Sequence, residues 1–151
     1  MNKETLFQKV CIIEDNPIDA LLLEQILKTS SFSEEIIKFN GGVSAFEWYK
    51  KQSKQDLEVL PQLIFLDLNM PILSGFELIE KFKRQLPSAV YKTCHFAIVT
   101  SSTDTNDLAK STLYRNILAY IIKPVIPEYF TPQKFMALKE KYFREVNMVW
   151  R

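Results

Sequence analysis

Three carboxylates directly follow short apolar segments of this 151-residue sequence. Glu14 and Asp15 come after the apolar run 10–13, and Asp67 comes after the run 63–66. If these runs are neighbouring strands, the carboxylates converge, and two like charges about 4 Å apart repel by roughly 4 kcal/mol at an effective dielectric constant near 20. Such a cluster is expected to recruit a cation, and hard oxygen ligands without histidine or cysteine favour Mg²⁺ over zinc.

Two later apolar runs end in residues that could act on a phosphoryl group. Thr100 follows the run 96–99 and offers a hydroxyl donor, and Lys123 follows the run 119–122 and offers a fixed positive charge. A divalent cation, a lysine and a hydroxyl together can stabilise the charge that develops on phosphoryl oxygens. The residues therefore predict phosphoryl chemistry, provided that the fold brings the ends of these runs together.

Five short apolar runs indicate the strands that must position these groups: 10–13, 36–39, 63–66, 96–99 and 119–122. They recur about every 23 to 33 residues, which is the spacing of βα units and not of hairpins. Continuous apolar runs are typical of strands buried in a parallel sheet, and Lys38 in the second run is typical of an edge strand. The sequence therefore predicts an α/β protein whose functional groups lie at the carboxyl ends of parallel strands.

Helix signals lie between and after the predicted strands. Asn16-Pro17 indicates an N-cap followed by proline at the first helical position, and Ser74-Gly75-Phe76-Glu77 fits a capping box. Residues 104–115 predict a helix with few apolar positions. A long last helix is predicted after Thr131-Pro132, with an apolar stripe of Phe135, Leu138, Tyr142, Val146 and Val149.

Composition and charge exclude several classes of protein. The 19 lysines and arginines against 18 aspartates and glutamates leave a net charge of +1, so nothing favours nucleic acid or an anionic membrane as a partner. Cys11 and Cys94 cannot form a disulfide framework and are expected to be buried, reduced thiols. Without a signal peptide or a run long enough to span a membrane, the chain is expected to be cytoplasmic. Its length suits one domain over residues 1–151, with no output domain.

These residues resemble the receiver domain of two-component response regulators. The matching positions lie within about residues 8 to 148: the pair Glu14-Asp15, the segment Asp67-Leu68-Asn69-Met70-Pro71, Gly75, Thr100, Tyr120 and Lys123-Pro124. The resemblance implies a doubly wound, flavodoxin-like (βα)5 fold with a parallel sheet in the order 2-1-3-4-5. It also implies a cis peptide bond between Lys123 and Pro124 and places Gly75 in the turn that leads into a helix.

The resemblance implies roles for four residues at the acidic site. Asp67 would be the phosphoacceptor, a carboxylate nucleophile that forms an acyl phosphate. Asp15 and Asp67 would ligate Mg²⁺ directly. Glu14 would act on the metal directly or through a water, and Asn69 would contribute its backbone carbonyl.

A conformational switch is also implied by the resemblance. Thr100 would turn inward to bond one phosphoryl oxygen, Lys123 would pair with another, and the vacated space would let Tyr120 rotate inward. The face formed by the helix 104–115, the fifth strand and the last helix would then change its partner preference. The sequence leaves open whether Ser101 shares the role of Thr100.

The implied function is that of a single-domain response regulator, which is a signalling protein and not an enzyme acting on outside substrates. It would take a phosphoryl group from a sensor histidine kinase or a phosphotransfer protein and act on an unknown downstream protein. Surplus apolar side chains near the C-terminus could form a homodimer face, although packing within the chain is favoured: Phe130, Met136, Phe143 and Trp150.

Two alternatives stay open. A Mg²⁺-dependent phosphohydrolase using an aspartyl-phosphate would carry a second aspartate two residues after the nucleophile, where this sequence has Asn69. A pseudo-receiver scaffold would take no phosphate, and the presence of Asp15, Asp67, Thr100 and Lys123 together weighs against it.

Overall fold

Six strands, all paired in parallel, form one sheet in the part of the chain that the structure describes: β1 (Phe7–Ile13), β2 (Ser33–Phe39), β3 (Leu63–Leu66), β4 (Phe96–Thr100), β5 (Ile117–Ile122) and β6 (Met148–Trp150). The computed structural model describes residues 5–131, 133–134, 136–137, 140 and 148–150. The sheet order is β2-β1-β3-β4-β5-β6, so the predicted order of the first five strands is confirmed.

The sixth strand is a departure from the prediction. Val149, which was expected on the stripe of a long last helix, pairs with Tyr120 as part of β6. A three-residue strand of Met, Val and Trp satisfies backbone groups along β5 that would otherwise form an open sheet edge. Residues 133–134, 136–137 and 140 are helical, while Phe135, Leu138, Tyr142 and Val146 lie outside the described residues.

Besides the helical residues between 133 and 140, five helices accompany the sheet in the described chain: α1 (Pro17–Thr29), α2 (Gly42–Gln52), α3 (Gly75–Gln85), α4 (Ser88–Thr93) and α5 (Thr105–Ser111). Short 3-10 helices cover Leu57–Val59 and Pro127–Phe130. Among the described helices, none combines the length and the apolar character that a membrane span requires.

Side-chain caps begin the two helices whose N-termini lie beside the predicted site. The Asn16 side chain accepts hydrogen bonds from the backbone of Ile18 and Asp19, at 2.9 and 3.1 Å. At the start of α3, Ser74 and Glu77 form the predicted capping box, with reciprocal hydrogen bonds of 2.9 and 3.3 Å. Both predicted helix N-termini are confirmed. The caps fix where α1 and α3 begin, and they thereby fix the loops that join these helices to β1 and β3 at the carboxyl edge of the sheet.

The hydrophobic core occupies both faces of the sheet. β3 and β4 are buried along their whole length, because alternate residues point into one of two apolar clusters. Phe130 packs within the chain, with its ring centroid 5.8 Å from that of Phe32, whereas Met136 is exposed. Lys38 on the edge strand β2 pairs with Glu24 at 3.1 Å, as an edge position allows. Both cysteines are buried and free, as expected.

The predicted helix over residues 104–115 is wrong beyond Ser111, where α5 ends. The chain then turns so that the Tyr114 ring stacks on Phe76 of α3, with centroids 5.9 Å apart, and the Tyr114 hydroxyl donates to Glu80 at 2.7 Å. The contacts of Tyr114 with Phe76 and Glu80 stabilise this turn more than another helical turn would. The short helix α4 was not predicted.

Gly75 lets the start of α3 pack directly against the end of β3. A Cβ atom at this position would lie 2.6 Å from the backbone oxygen of Asp67 and 2.9 Å from the Cα of Leu68. The Gly75 amide donates to the Leu68 carbonyl at 3.0 Å, which holds the two backbones together. Glycine is therefore favoured at position 75, because a residue without a Cβ atom lets the two backbones lie this close together beside Asp67.

We expect Gly75→Ala to lower the free energy of unfolding by about 1–3 kcal/mol, because its methyl group meets backbone atoms that must move. Gly41→Ala is the matched control, since a Cβ atom there meets nothing within 4 Å. Its cost should stay below about 1 kcal/mol, the size of an N-cap preference. Urea unfolding of both variants measures the difference, and equal losses would contradict the packing argument.

Candidate functional site

The sheet brings three carboxylates together at the carboxyl ends of β1 and β3. Ile13 and Leu66 are register partners, and the next residues along each strand are Glu14 and Asp67. One carboxylate oxygen each from Glu14, Asp15 and Asp67 lies within 4.8 Å of the others. Glu14 and Asp67 are buried, while Asp15 is exposed. The cluster has the ligand type and spacing of a hard-cation site.

One oxygen of Asp67 is held by its own loop. The backbone amide of Asn69 donates to Asp67 Oδ1 at 3.1 Å, and Asp67 Oδ2 faces the Lys123 ammonium at 3.3 Å. The Asn69 side-chain amide donates to the hydroxyl oxygen of Thr100 at 3.4 Å. Thr100 is fully buried at the end of β4, whereas Ser101 is exposed. The structure thus brings Asp67, Asn69 and Thr100 together and leaves Ser101 outside this group.

Lys123 supplies the positive charge of the site. Its Nζ atom contacts Glu14 Oε1 at 2.5 Å, Asp19 Oδ2 at 2.8 Å and Asp67 Oδ2 at 3.3 Å. The Lys123 backbone amide donates to the Thr100 carbonyl at 2.8 Å, which fixes the residue at the end of β5. The peptide bond between Lys123 and Pro124 is cis, as expected.

Asp19 is the site residue that the sequence interpretation missed. It lies in the first turn of α1, four residues after Asp15, and its carboxylate reaches the same ammonium as Glu14 and Asp67. A signal was available in the sequence, because the Asn16 cap places the first turn of this helix at the carboxyl edge of the sheet. An acidic residue in that turn also matches the helix dipole, so its type alone does not indicate a contact with Lys123.

Burial, hydrogen bonds and neighbouring charges shift the pKa values of Glu14 and Lys123. The pKa of Glu14 is raised to about 7, chiefly because the group is buried; the neighbouring Asp67 also raises it, and the hydrogen bonds from Lys123 and the Asn16 amide offset part of the rise. Burial alone lowers the pKa of Lys123, but hydrogen bonds to Asp19 and Glu14 and the charge of Asp67 outweigh that effect and raise it. Lys123 is therefore charged at neutral pH, and Glu14 titrates near neutrality.

Tyr120 links the site to α5. Its ring is buried, and its hydroxyl donates to the backbone carbonyl of Ser102 at 3.1 Å. The Ser102 hydroxyl in turn donates to Asp107 of α5 at 2.6 Å, and the Ser102 amide donates to Thr100 Oγ1 at 3.3 Å. The Tyr120 ring therefore already occupies the inward position in this structure.

A cavity of about 370 Å³ adjoins the carboxylates. Its polar wall contains Glu14, Asp19, Asp67 and Lys123, and its apolar wall is formed by residues of α1, β1, β3, β4 and the segment after β5. The cavity joins Lys123 to the carboxylates in one accessible space, which a small anion such as a phosphoryl group could enter.

Comparison with known proteins identifies the family. The family model described as the response regulator receiver domain matches residues 10–131. The chain is 31% identical over 91 residues to the response regulator Rcp1 of Synechocystis sp., in an alignment that covers 57% of this chain and 62% of Rcp1. The chain thus spans less than two thirds of the length of that relative.

Solved structures agree with this match. A two component response regulator from Cytophaga hutchinsonii superposes with a TM-score of 0.76 at 26% identity, covering 91% of this chain and 98% of that one. The Mn²⁺-bound form of response regulator Rcp1 superposes with a TM-score of 0.64 at 26% identity, covering 89% of this chain and 91% of that one. Because the family model spans the acidic cluster, Thr100 and Lys123 together, this chain belongs to the response regulator receiver domain family.

Proposed function

We propose that this receiver accepts a phosphoryl group on Asp67 from a sensor histidine kinase or a phosphotransfer protein. The observation that carries the proposal is the position of the Asp67 carboxylate, buried beside two other carboxylates with Oδ2 3.3 Å from the Lys123 ammonium. An oxygen of Asp67 attacks phosphorus, an O–P bond forms, and the P–N bond of the phosphohistidine donor breaks. The histidine nitrogen of the donor keeps the electron pair of that bond and takes up a proton.

The donor set of the site fits Mg²⁺. Glu14, Asp15 and Asp67 supply carboxylate oxygens within 4.8 Å of one another, and Asn69 would add its backbone carbonyl. Glu14 would act directly or through a water. A bound Mg²⁺ would supply positive charge for the phosphoryl oxygens during transfer. The Mn²⁺-bound form of Rcp1 supports a divalent cation for a receiver of similar fold.

Lys123 and Thr100 would stabilise the phosphorylated carboxylate. The ammonium already lies at 3.3 Å from Asp67 Oδ2, so it needs only a small movement to pair with a phosphoryl oxygen. The Thr100 hydroxyl would move from its contact with Asn69 to a second oxygen. Such a movement would disturb the link from Thr100 through Ser102 to Tyr120 and α5. The face containing α5 and β5 would then be the surface that changes its affinity for a downstream protein.

Exposed apolar side chains support a protein as the phosphoryl donor. Ile18 at the start of α1, Ile72 in the loop after β3 and Ile126 after β5 are all exposed, Ile72 by 91%. All three follow carboxyl ends of strands at the edge that carries Asp67, where a docking protein would cover them. Action as a single domain, a cytoplasmic location and homodimer formation stay predictions.

The phosphohydrolase alternative is disfavoured by Asn69. An amide side chain cannot give a proton to a leaving group, and here it donates to the Thr100 hydroxyl oxygen instead. The pseudo-receiver alternative is disfavoured because the acidic cluster, the hydroxyl and the ammonium are all present in one site.

Incubation with Mg²⁺ and acetyl phosphate should label the protein with a phosphoryl group that is stable in acid and labile in base. Asp67→Asn should abolish the label, because an amide is not a nucleophile for phosphorus. Asp56→Asn is the matched control, since Asp56 is an exposed N-cap and asparagine caps equally well. Mass spectrometry and radiolabelling measure the result. If neither acetyl phosphate nor a cognate kinase labels the unmodified protein, the proposal is wrong.

Mg²⁺ affinity should rise with pH between pH 5.5 and 8. The pKa of Glu14 is raised to about 7, so at lower pH the metal must displace a proton from this carboxyl group. We expect binding at pH 5.5 to be at least roughly tenfold weaker than at pH 8. Glu14→Gln should bind weakly with little pH dependence in this range, measured by calorimetry. An unmodified protein with a flat profile would show that Glu14 does not carry that proton.

A further inference from the structure

Asp19 shares the ammonium of Lys123 but lies outside the acidic cluster. Its Oδ2 atom is 2.8 Å from Lys123 Nζ, closer than the 3.3 Å of Asp67 Oδ2. The group of carboxylates that could hold one ion contains Glu14, Asp15 and Asp67, and Asp19 is not a member among the described residues. The carboxylate that Asp19 offers to Lys123 is therefore not one of the proposed metal ligands.

We infer that Asp19 is a positioning residue: it holds the Lys123 ammonium beside Asp67 when a divalent cation occupies the cluster of Glu14, Asp15 and Asp67. The inference rests on the proposed function and adds a residue to it. It is carried by the geometry of one ammonium group shared among three carboxylates.

The backbone around Asp19 fixes this arrangement. The Asp19 amide donates to the Asn16 side chain at 3.1 Å, and the Asn16 amide donates to Glu14 Oε2 at 3.2 Å. The first turn of α1 is thereby tied to the acidic residue at the end of β1. The Lys123 side chain is 16% exposed and that of Asp19 is 38% exposed, so their contact lies at the mouth of the cavity.

Hydrogen-bond capacity gives Asp19 its separate role. A lysine ammonium has three donors, and here three carboxylates each accept from it. If Glu14 and Asp67 held a divalent cation, their oxygens would be engaged by it and the ammonium would face a second positive charge. Of the three partners, Asp19 alone then remains to hold Lys123 close to the nucleophile. Without Asp19, the ammonium would compete with the cation for Glu14 and Asp67 or turn towards solvent.

A plain helix-terminal acid would behave differently. A carboxylate that only complements the dipole of α1 contributes to helix stability and leaves Lys123 unaffected. Glu24 is the control for loss of one negative charge from α1, because it lies in the middle of the same helix and pairs with Lys38 instead of Lys123. The variants Asp19→Asn and Glu24→Gln each remove one negative charge from α1.

The first measurement needs neither metal nor phosphate. In ¹⁵N-labelled, metal-free protein, the Lys123 ammonium should give a slowly exchanging ¹H–¹⁵N signal, because three acceptors hold it. Asp19→Asn should broaden or remove that signal, and Glu24→Gln should leave it unchanged. An unchanged Lys123 signal in Asp19→Asn would overturn the inference.

The second measurement is Mg²⁺ binding by calorimetry. Asp19→Asn should weaken binding about fivefold, since the ammonium is freed to compete for the metal ligands. In a Lys123→Gln background the same change should matter by less than about twofold, because no ammonium remains to be held. Equal weakening in both backgrounds would show that Asp19 acts through its charge alone and would overturn the inference. Lys123→Met replaces Lys123→Gln if the latter does not fold.

These outcomes separate the inference from the proposed function. If acetyl phosphate and a cognate kinase leave Asp67 unlabelled, the proposed function fails while the ammonium signal still decides the role of Asp19. If Asp67 is labelled and Asp19→Asn changes neither the ammonium signal nor Mg²⁺ binding, the role of Asp19 fails alone.

Discussion

Electrostatic balance between carboxylates and one ammonium group is the constraint on which this site depends. The ends of β1 and β3 force Glu14 and Asp67 together in a buried position, where two uncompensated negative charges would be strongly unfavourable. Lys123 offsets that repulsion in the metal-free protein. A surplus of negative charge remains, and it favours binding of a divalent cation. The same surplus lowers the stability of the folded, metal-free protein.

The fold supplies this balance through sheet order. β1 and β3 are adjacent, and β4 and β5 follow on one side, so Thr100 and Lys123 arrive at the edge that carries the carboxylates. Close backbone packing at Gly75 fixes the loop after Asp67, and the buried hydroxyl of Thr100 connects that loop to Tyr120. The chemistry of the site and the route by which it could reach α5 are therefore parts of one hydrogen-bonded arrangement.

Much of this arrangement was predictable from the sequence, because strand ends, caps and acidic positions are local patterns. The five strands and the caps at Asn16 and Ser74 follow from such patterns, whereas the order of the strands in the sheet came from the resemblance to receiver domains. The contact of Asp19, the end of α5 and the strand β6 were missed because each depends on a partner distant in the chain. Asp19 needs Lys123, the turn after Ser111 needs Phe76, and β6 needs the open edge of β5.

The span of the Lys123 contacts has a consequence for how the chain acquires its structure. Lys123 and Glu14 are 109 residues apart, so their pairing forms only when β5 has joined the sheet. Until then the acidic residues lack the ammonium that compensates them, and a nascent or partly unfolded chain would present a bare anionic edge. The joining of β5 to the sheet and the completion of the candidate site are thus a single event.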